Sequence, residues 1–160
     1  MRLIYKGGTL VVKRWFSKRK KQQRMVEQIL QNNRHMLYKI LYLYVGDEQT
    51  ALSILEQGKT DCLNAHWSIE QPDLLFRKIV QKHIEYAMKA APLPATQEPY
   101  RAIAYLYFGA QLHDELLSRL LHCDEDALQQ MILQVMVNVE GKPQKIQQAY
   151  EHIQVPANLT

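Results

Sequence analysis

The stretch YRAIAYLYFGAQLHDELLSRLLHCDEDALQQMILQVM, residues 100–136, has the spacing of a helix-turn-helix. Its apolar residues recur three or four positions apart, as they do along one face of an α-helix. Gly109 and Gly141 stand where helix C-caps are expected, and Asp124 is a suitable N-cap. These signals predict three helices, over about Pro99–Phe108, Leu112–Leu121 and Asp124–Glu140.

On either side of this stretch the same period predicts four more helices, and the alternation typical of strands is nearly absent. Gly46 is expected to end the first of them and Asp47 to cap the second. Gly58 disfavours a helix by about 1 kcal/mol relative to alanine, which predicts a kink or fraying within the second helix. The four helices run from Lys21 onward, over Glu48–Ala65, over Pro72–Ala90, and from Pro143 to Pro156.

Three prolines interrupt the helical pattern in the middle of the chain. They lie in APLPATQEP, residues 91–99, and prolines without apolar periodicity are typical of a linker. We therefore predict an all-α protein with two small helical domains, residues 25–90 and residues 100–160, joined by that linker. Residues 1–24 precede them as a basic tail.

The charges are distributed unevenly along the 160 residues. Residues 1–24 contain nine lysines and arginines and no acidic residue, although the net charge of the whole chain is only +4. Eleven basic and sixteen acidic residues are left for the rest of the chain, which is therefore acidic overall. A basic tail suits an anionic partner, either nucleic acid or membrane lipid, and a solvated tail without a partner is the alternative.

Nothing in the sequence indicates secretion or a membrane span. The apolar run TLVV, residues 9–12, is too short for a signal-peptide core, and no stretch approaches the roughly 20 apolar residues of a spanning helix. Cys62 and Cys123 are far apart in sequence and are expected to be reduced thiols. We therefore expect a cytoplasmic protein.

Several segments of the second half resemble region 4 of the sigma-70-type RNA polymerase sigma factors, especially the extracytoplasmic-function group. They are Leu93-Pro94, YRAIAYLYF at residues 100–108, and LHDELLSRLLHCDEDAL at residues 112–128. The family has a glycine in the turn of its helix-turn-helix, and Leu121 stands at that position. Leucine resists the left-handed conformation more than histidine does, so the turn is expected either there or shifted by one residue to His122.

The first half resembles region 2 of the same family. NNRHMLYKILYLYVGDEQTA, residues 32–51, is similar to its opening helix, and LFRKIVQKHIEYA, residues 75–87, to its promoter-melting helix. The resemblance implies a transcription initiation protein that acts with RNA polymerase core at promoter DNA, with or without a helper protein. It also implies polymerase contacts at Leu52, Leu55 and Glu56, although Leu52 and Ser53 replace acidic residues of the family.

Two groups of polar residues are candidates for DNA contact. The resemblance directs the basic face of the third helix to promoter DNA, and a solvated face is the alternative; this face consists of Arg77, Lys78, Lys82 and Lys89. The last helix of the helix-turn-helix offers glutamines that either read adenine edges or are ordinary polar positions, namely Gln129, Gln130 and Gln134. That helix begins Asp-Glu-Asp and has no lysine or arginine, so it lacks the phosphate contacts of a typical DNA reader.

The same helix is apolar around most of its circumference, which predicts burial on nearly all sides. We expect part of it to contact a protein rather than DNA, either a helper or anti-sigma protein or a second copy of the chain. An alternative function follows, that of a sigma-like helical interaction module that has lost DNA reading. The candidate protein-contact residues are Leu128, Met131, Ile132, Val135 and Met136.

Signals of catalysis or metal binding are weak. Cys62 and His66 are four residues apart and would share a helix face as two metal ligands do, but no second pair is evident and a structural role is the alternative. His113 beside Asp114 fits the start of a helix as well as it fits acid–base chemistry. No phosphate-binding glycine loop or nucleophile motif is present. The sequence therefore predicts neither an enzyme nor a bound cofactor or metal.

Overall fold

The computed structural model describes residues 2–67, 71–138 and 142–159, with the side chains of residues 2–12, 15, 16 and 142 left aside. Every regular element in these ranges is a helix, so the predicted all-α class is confirmed. The α-helices are α1 (Arg2–Val45), α2 (Glu48–Asn64), α3 (Pro72–Ala90), α4 (Glu98–Ala102), α5 (Asp114–Leu120), α6 (Glu125–Asn138) and α7 (Lys142–His152). A π-helical segment (Ile103–Gly109) continues α4, and a 3-10 turn (Ala157–Leu159) follows α7.

The first helix begins much earlier than the sequence predicted. Helix was expected from Lys21, whereas α1 extends back to Arg2 and includes the residues predicted as a basic tail. Lysine and arginine are good helix formers, which accounts for an uninterrupted helix through the charged segment. The other end agrees with the prediction, since Gly46 has a φ of 69° and the Asp47 carboxylate accepts a hydrogen bond from the Thr50 amide.

Helices α1, α2 and α3 pack against one another as a three-helix bundle. Their apolar stripes meet in its interior, where the most deeply buried side chains include Leu37, Leu41, Ala51, Leu75 and Ile79. α3 has the bounds that the sequence predicted, because proline is well tolerated in the first turn of a helix and the apolar period runs unbroken behind it.

Gly58 marks a close approach of α2 to α3. A Cβ atom at this position would lie 2.4 Å from Nε2 of His83. The imidazole is 1% exposed, and its Nδ1 donates to the Ile79 carbonyl oxygen at 2.7 Å. Burial lowers the pKa of His83, which favours the neutral ring. The predicted kink or fraying at Gly58 is wrong: α2 is continuous there, and the missing side chain makes room for the imidazole.

After α4 the backbone changes to π geometry. The amide of Ala110 donates to the carbonyl oxygen five residues earlier, at 3.0 Å. The C-cap predicted at Gly109 is wrong, because this glycine lies inside the π-helical segment and Gln111 adopts the positive φ, 57°. A Cβ atom on Gly109 would lie 3.4 Å from Leu43 and 3.6 Å from Tyr150, so the glycine fits between α1 and α7.

The remaining boundaries differ from the predictions by a few residues. α5 begins two residues later and ends one residue earlier than predicted. α7 ends at His152 rather than near Pro156, which instead precedes the 3-10 turn. Gly141, the other predicted C-cap, lies outside the described residues.

Arg101 holds the linker against both halves of the chain. Its guanidinium donates to both carboxylate oxygens of Glu98 and, over 2.6 Å, to the carbonyl oxygen of Ala91. The central carbon of the guanidinium lies 4.6 Å from the centre of the Tyr44 ring at the end of α1. The Arg101 and Glu98 side chains are only 9% and 12% exposed, so removing one of them would leave the other as a poorly solvated charge.

The two predicted domains share one hydrophobic core. Buried residues of the second half, including Ile103, Leu106 and Leu128, belong to the same cluster as those of the three-helix bundle. The rings of Tyr44 and Tyr105 meet edge to face between the halves, with their centroids 5.0 Å apart. The division into two domains stays a prediction, and the described contacts join the halves through packed side chains.

The C-terminal 3-10 turn returns to the three-helix bundle. Its Leu159 is 8% exposed and, together with Leu30 and Leu55, lines a cavity of about 90 Å³ between α1 and α2. The 3-10 turn therefore packs on α1 and α2, a contact of high sequence separation.

We predict that Gly58→Ala destabilises the protein, although the same change in an exposed helix is stabilising. The added Cβ atom overlaps the buried imidazole of His83, and overpacking of this kind typically costs about 1–3 kcal/mol. Chemical denaturation monitored by circular dichroism measures the difference in the free energy of unfolding.

The background His83→Ala supplies the control for this prediction. Without the imidazole, Gly58→Ala is expected to stabilise α2 by up to about 1 kcal/mol, the ordinary advantage of alanine over glycine in a helix. The same sign of effect in both backgrounds would contradict the close approach of Gly58 to His83.

Candidate nucleic-acid and protein interfaces

The segment between α5 and α6 has the conformation of a helix-turn-helix turn. Leu121 has an ordinary φ of −90°, whereas His122 is left-handed, with a φ of 52°. The shift of the turn by one residue, one of the two predicted positions, is therefore confirmed. The Asp124 carboxylate accepts a hydrogen bond from the Ala127 amide at 2.7 Å, as predicted for the N-cap of the following helix.

Two of the three candidate glutamines on α6 form hydrogen bonds with other side chains of the chain. The Gln129 amide donates to Oδ2 of Asp114 at 2.9 Å, which connects α6 to the start of α5. Oε1 of Gln134 accepts a hydrogen bond of 2.6 Å from the hydroxyl of Tyr100. Gln130 is exposed. Both hydrogen bonds are exposed to solvent, so base reading by Gln129 or Gln134 stays a prediction beside the alternative of ordinary polar positions.

The charges around α6 oppose a phosphate backbone. Glu125 and Asp126 lie in its first turn, where negative charge stabilises the helix through the dipole but repels an anionic ligand. Its last described turn, which ends at Asn138, contains no basic residue. The left-handed turn at His122 therefore precedes a helix whose first turn is acidic.

The apolar residues of α6 divide into a buried set and an exposed set. Three of the five predicted protein-contact residues are core residues of the chain itself: Leu128, Ile132 and Val135. Met131 is half-buried against that core. Met136, the fifth, is 50% exposed and lies beside Leu133 and Val137, which are 57% and 74% exposed. We call Leu133, Met136 and Val137 the α6 apolar surface. They are three and four residues apart on a different face of the helix from the buried residues, and this helical period could have distinguished the two sets in the sequence.

The basic residues of α3 are split between two surroundings. Arg77 and Lys78 are half-buried and face α5 across a cleft. The ammonium groups of Lys82 and Lys89 lie 5.7 and 5.9 Å from the centre of the Tyr86 ring. The Tyr86 hydroxyl donates to a carboxylate oxygen of Asp61, and this hydrogen bond lowers the pKa of that carboxyl. The four residues therefore lie in two groups, and their contact with DNA stays a prediction.

The predicted polymerase-binding residues differ in their accessibility. Glu56 is exposed, Leu52 is half-buried, and Leu55 belongs to the core of the bundle. The cavity beside Leu55 and Glu56 is lined on one side by Leu159 of the C-terminal turn. Of the three candidates, the glutamate alone is well placed for a partner in this conformation.

The proposed metal pair of Cys62 and His66 is not formed. α2 ends at Asn64 and Ala65 is extended, so His66 lies beyond the helix rather than one turn along the same face. Burial raises the pKa of Cys62 to about 12, and a thiol that stays protonated is a poor metal ligand. Within residues 2–67, 71–138 and 142–159, no group of three or more histidine, cysteine or acidic side chains is arranged to hold a metal.

No described helix combines the length and the apolar character that crossing a bilayer requires. Comparison of the chain with protein-family models, with curated proteins and with solved structures gave no match. The relation to sigma factors therefore stays a prediction from the residues quoted above. The turn geometry around His122 and the caps of α2 and α6 are independent of that relation.

We predict that His122→Gly raises the free energy of unfolding by about 1 kcal/mol, because a left-handed backbone costs an L residue about 1–2 kcal/mol that glycine avoids. Leu121→Gly is the matched control, since Leu121 has an ordinary φ and glycine there only removes a packed side chain. Equilibrium denaturation of both variants measures the effect. A gain at Leu121 with a loss at His122 would show that the turn lies one residue earlier.

Proposed function

We propose that this chain is a sigma-like transcription initiation protein that acts with RNA polymerase core at promoter DNA. The observation that supports the proposal best is the left-handed His122 followed by the Asp124-capped α6, at the place where the resemblance puts the turn of region 4. A three-helix bundle with a basic third helix precedes it in the order that regions 2 and 4 have in the family. The proposal requires both the turn at His122 and the three-helix bundle.

In this proposal the contact with DNA comes mainly from outside α6. Arg77, Lys78, Lys82 and Lys89 on α3 supply positive charge for the phosphate backbone, and the basic part of α1 adds to it. α6 presents acidic and apolar side chains, so it reads bases poorly by itself. A helper protein that binds α6 would compensate for its poor base reading. Because the DNA contacts are then mainly to phosphates, the affinity for DNA would fall steeply as the salt concentration rises.

Contact with the polymerase is assigned to the exposed face of α2 around Glu56. The residue is exposed, whereas Leu55 beside it packs in the bundle. A carboxylate at the rim of an interface acts through charge, which reversal of its sign would test directly.

The first prediction from this proposal concerns capture of RNA polymerase core by the immobilised full-length protein. We expect specific retention of the polymerase, and we expect Glu56→Lys to weaken it about tenfold, the effect of losing roughly 1.4 kcal/mol of binding free energy. Glu151→Lys is the matched control, because Glu151 is also exposed but lies on α7. Absence of both polymerase capture and promoter-dependent initiation, with lysate from the protein's own cells supplied as a source of helper, would contradict the proposal.

The α6 apolar surface favours a second candidate function, a sigma-like interaction module without DNA reading. Leu133, Met136 and Val137 expose between half and three-quarters of their surface, which is unusual for three neighbouring apolar residues of one helix. Two nearby glutamines make exposed hydrogen bonds to other side chains of the chain, which a base would have to replace. A helper or anti-sigma protein, or a second copy of the chain, is the partner that such a surface suits.

This second candidate predicts a complex that is insensitive to salt, because apolar burial does not depend on screened charges. Light scattering of the purified protein measures its mass, alone and with a co-purified partner. We expect Leu133→Ser combined with Val137→Ser to dissociate the complex. Leu93→Ser in the linker, also an exposed leucine, is expected to leave it intact. A monomer that shifts promoter DNA and binds no protein through α6 would contradict the module.

A further inference from the structure

A polar cleft of about 550 Å³ separates α3 from α5 and from the turn that follows α5. Arg77 and Lys78 line it on the α3 side, and Arg119 and His122 line it on the opposite side. Its volume lies within the range of about 300–1,000 Å³ that is common for small-molecule sites. The cleft thus brings basic residues from both halves of the chain to one place.

The charges that face this cleft are unbalanced. Arg77, Lys78 and Arg119 carry three permanent positive charges, and Asp124 is the one acidic residue among the side chains that line it. The Asp124 carboxylate is already used, because it accepts a hydrogen bond from the Ala127 amide at the start of α6. The positive end of that helix offsets its charge further. Glu115, Glu125 and Asp126 add negative charge nearby, so an anion must engage the basic side chains of the cleft directly.

The guanidinium of Arg119 is available at little cost. Its partner Glu115 lies one helical turn away, with 2.8 Å between the nitrogen and the oxygen. The two side chains are 51% and 72% exposed, and solvated pairs of this kind contribute little to stability. A ligand with a denser negative charge can therefore replace the glutamate as the hydrogen-bond acceptor.

We propose that this cleft binds a phosphate group, supplied either by a free nucleotide or by the backbone of a nucleic acid. A guanidinium presents paired donors that match the oxygens of phosphate, and the cleft offers one such group on each side. Gln81 and Ser118 add uncharged polar side chains along the same walls. A phosphate bound here would connect α3 to α5, so the ligand would hold the two halves together. The site depends neither on polymerase binding nor on base reading by α6.

Isothermal titration calorimetry of the full chain tests the proposal, with sodium pyrophosphate, ATP and a short DNA duplex as three separate ligands at one low ionic strength. We expect binding of at least one ligand and a loss of roughly tenfold in affinity for Arg119→Gln, the usual effect of removing a charge-assisted hydrogen bond. Lys145→Gln is the matched control, because Lys145 is an exposed basic residue on α7, outside the cleft, and the change in net charge is the same. We expect this control to keep the wild-type affinity.

The three arms distinguish the sources of the phosphate. Loss of affinity for ATP and pyrophosphate, with duplex binding unchanged, assigns the cleft to a free nucleotide. A parallel loss of duplex affinity assigns it to the nucleic-acid backbone. Equal effects of Arg119→Gln and Lys145→Gln on every ligand, including no binding at all, would overturn the proposal.

The thiol of Cys123 reports where the ligand binds. It lines the same cleft and is partly exposed, whereas Cys62 is buried. We expect a saturating concentration of the ligand that binds in the calorimeter to slow the alkylation of Cys123 several-fold. Unchanged alkylation at saturation would place the bound phosphate elsewhere and would also overturn the proposal.

Discussion

The side chain of Arg101 connects three parts of the chain through polar contacts. It bonds both oxygens of Glu98 at the start of α4, the carbonyl oxygen that follows α3, and the face of the Tyr44 ring at the end of α1. Because the arginine and the glutamate are both largely removed from water, their geometry is strongly constrained. The start of α4 is thereby fixed against the ends of α3 and α1, where the two halves of the chain meet.

Local signals in the sequence predicted most helices, whereas features that depend on distant residues were missed. Asp47, Asp124 and the bounds of α3 follow from capping and periodicity, which act within a few residues. The role of Gly58 depends on His83 in another helix, and Gly109 fits between α1 and α7, so neither could be inferred from its neighbours. At the candidate site, the turn at His122 was one of two predicted positions. The engagement of Gln134 by Tyr100 across 34 residues had no local signal.

The molecule separates charge by position. Basic residues lie on α1 and α3, and acidic residues lie at the starts of α5 and α6, where they also stabilise those helices. The segment of α5 and α6 therefore combines a left-handed turn at His122 with an acidic helix start and an exposed apolar surface on α6. Turns and caps determine the backbone geometry of α5 and α6. Their exposed side chains determine which partners they suit in the proposed functions.

The position of Leu159 affects the binding of any protein at the cavity between α1 and α2. A tethered side chain is present at its own site at a high local concentration, on the order of millimolar for a short flexible connection. Leu159 lines that cavity together with Leu55. A protein that binds there must therefore outcompete a ligand that is part of the chain itself, and its apparent affinity is lower than its contacts alone would give. A partner therefore binds at this place only above the concentration at which it displaces Leu159.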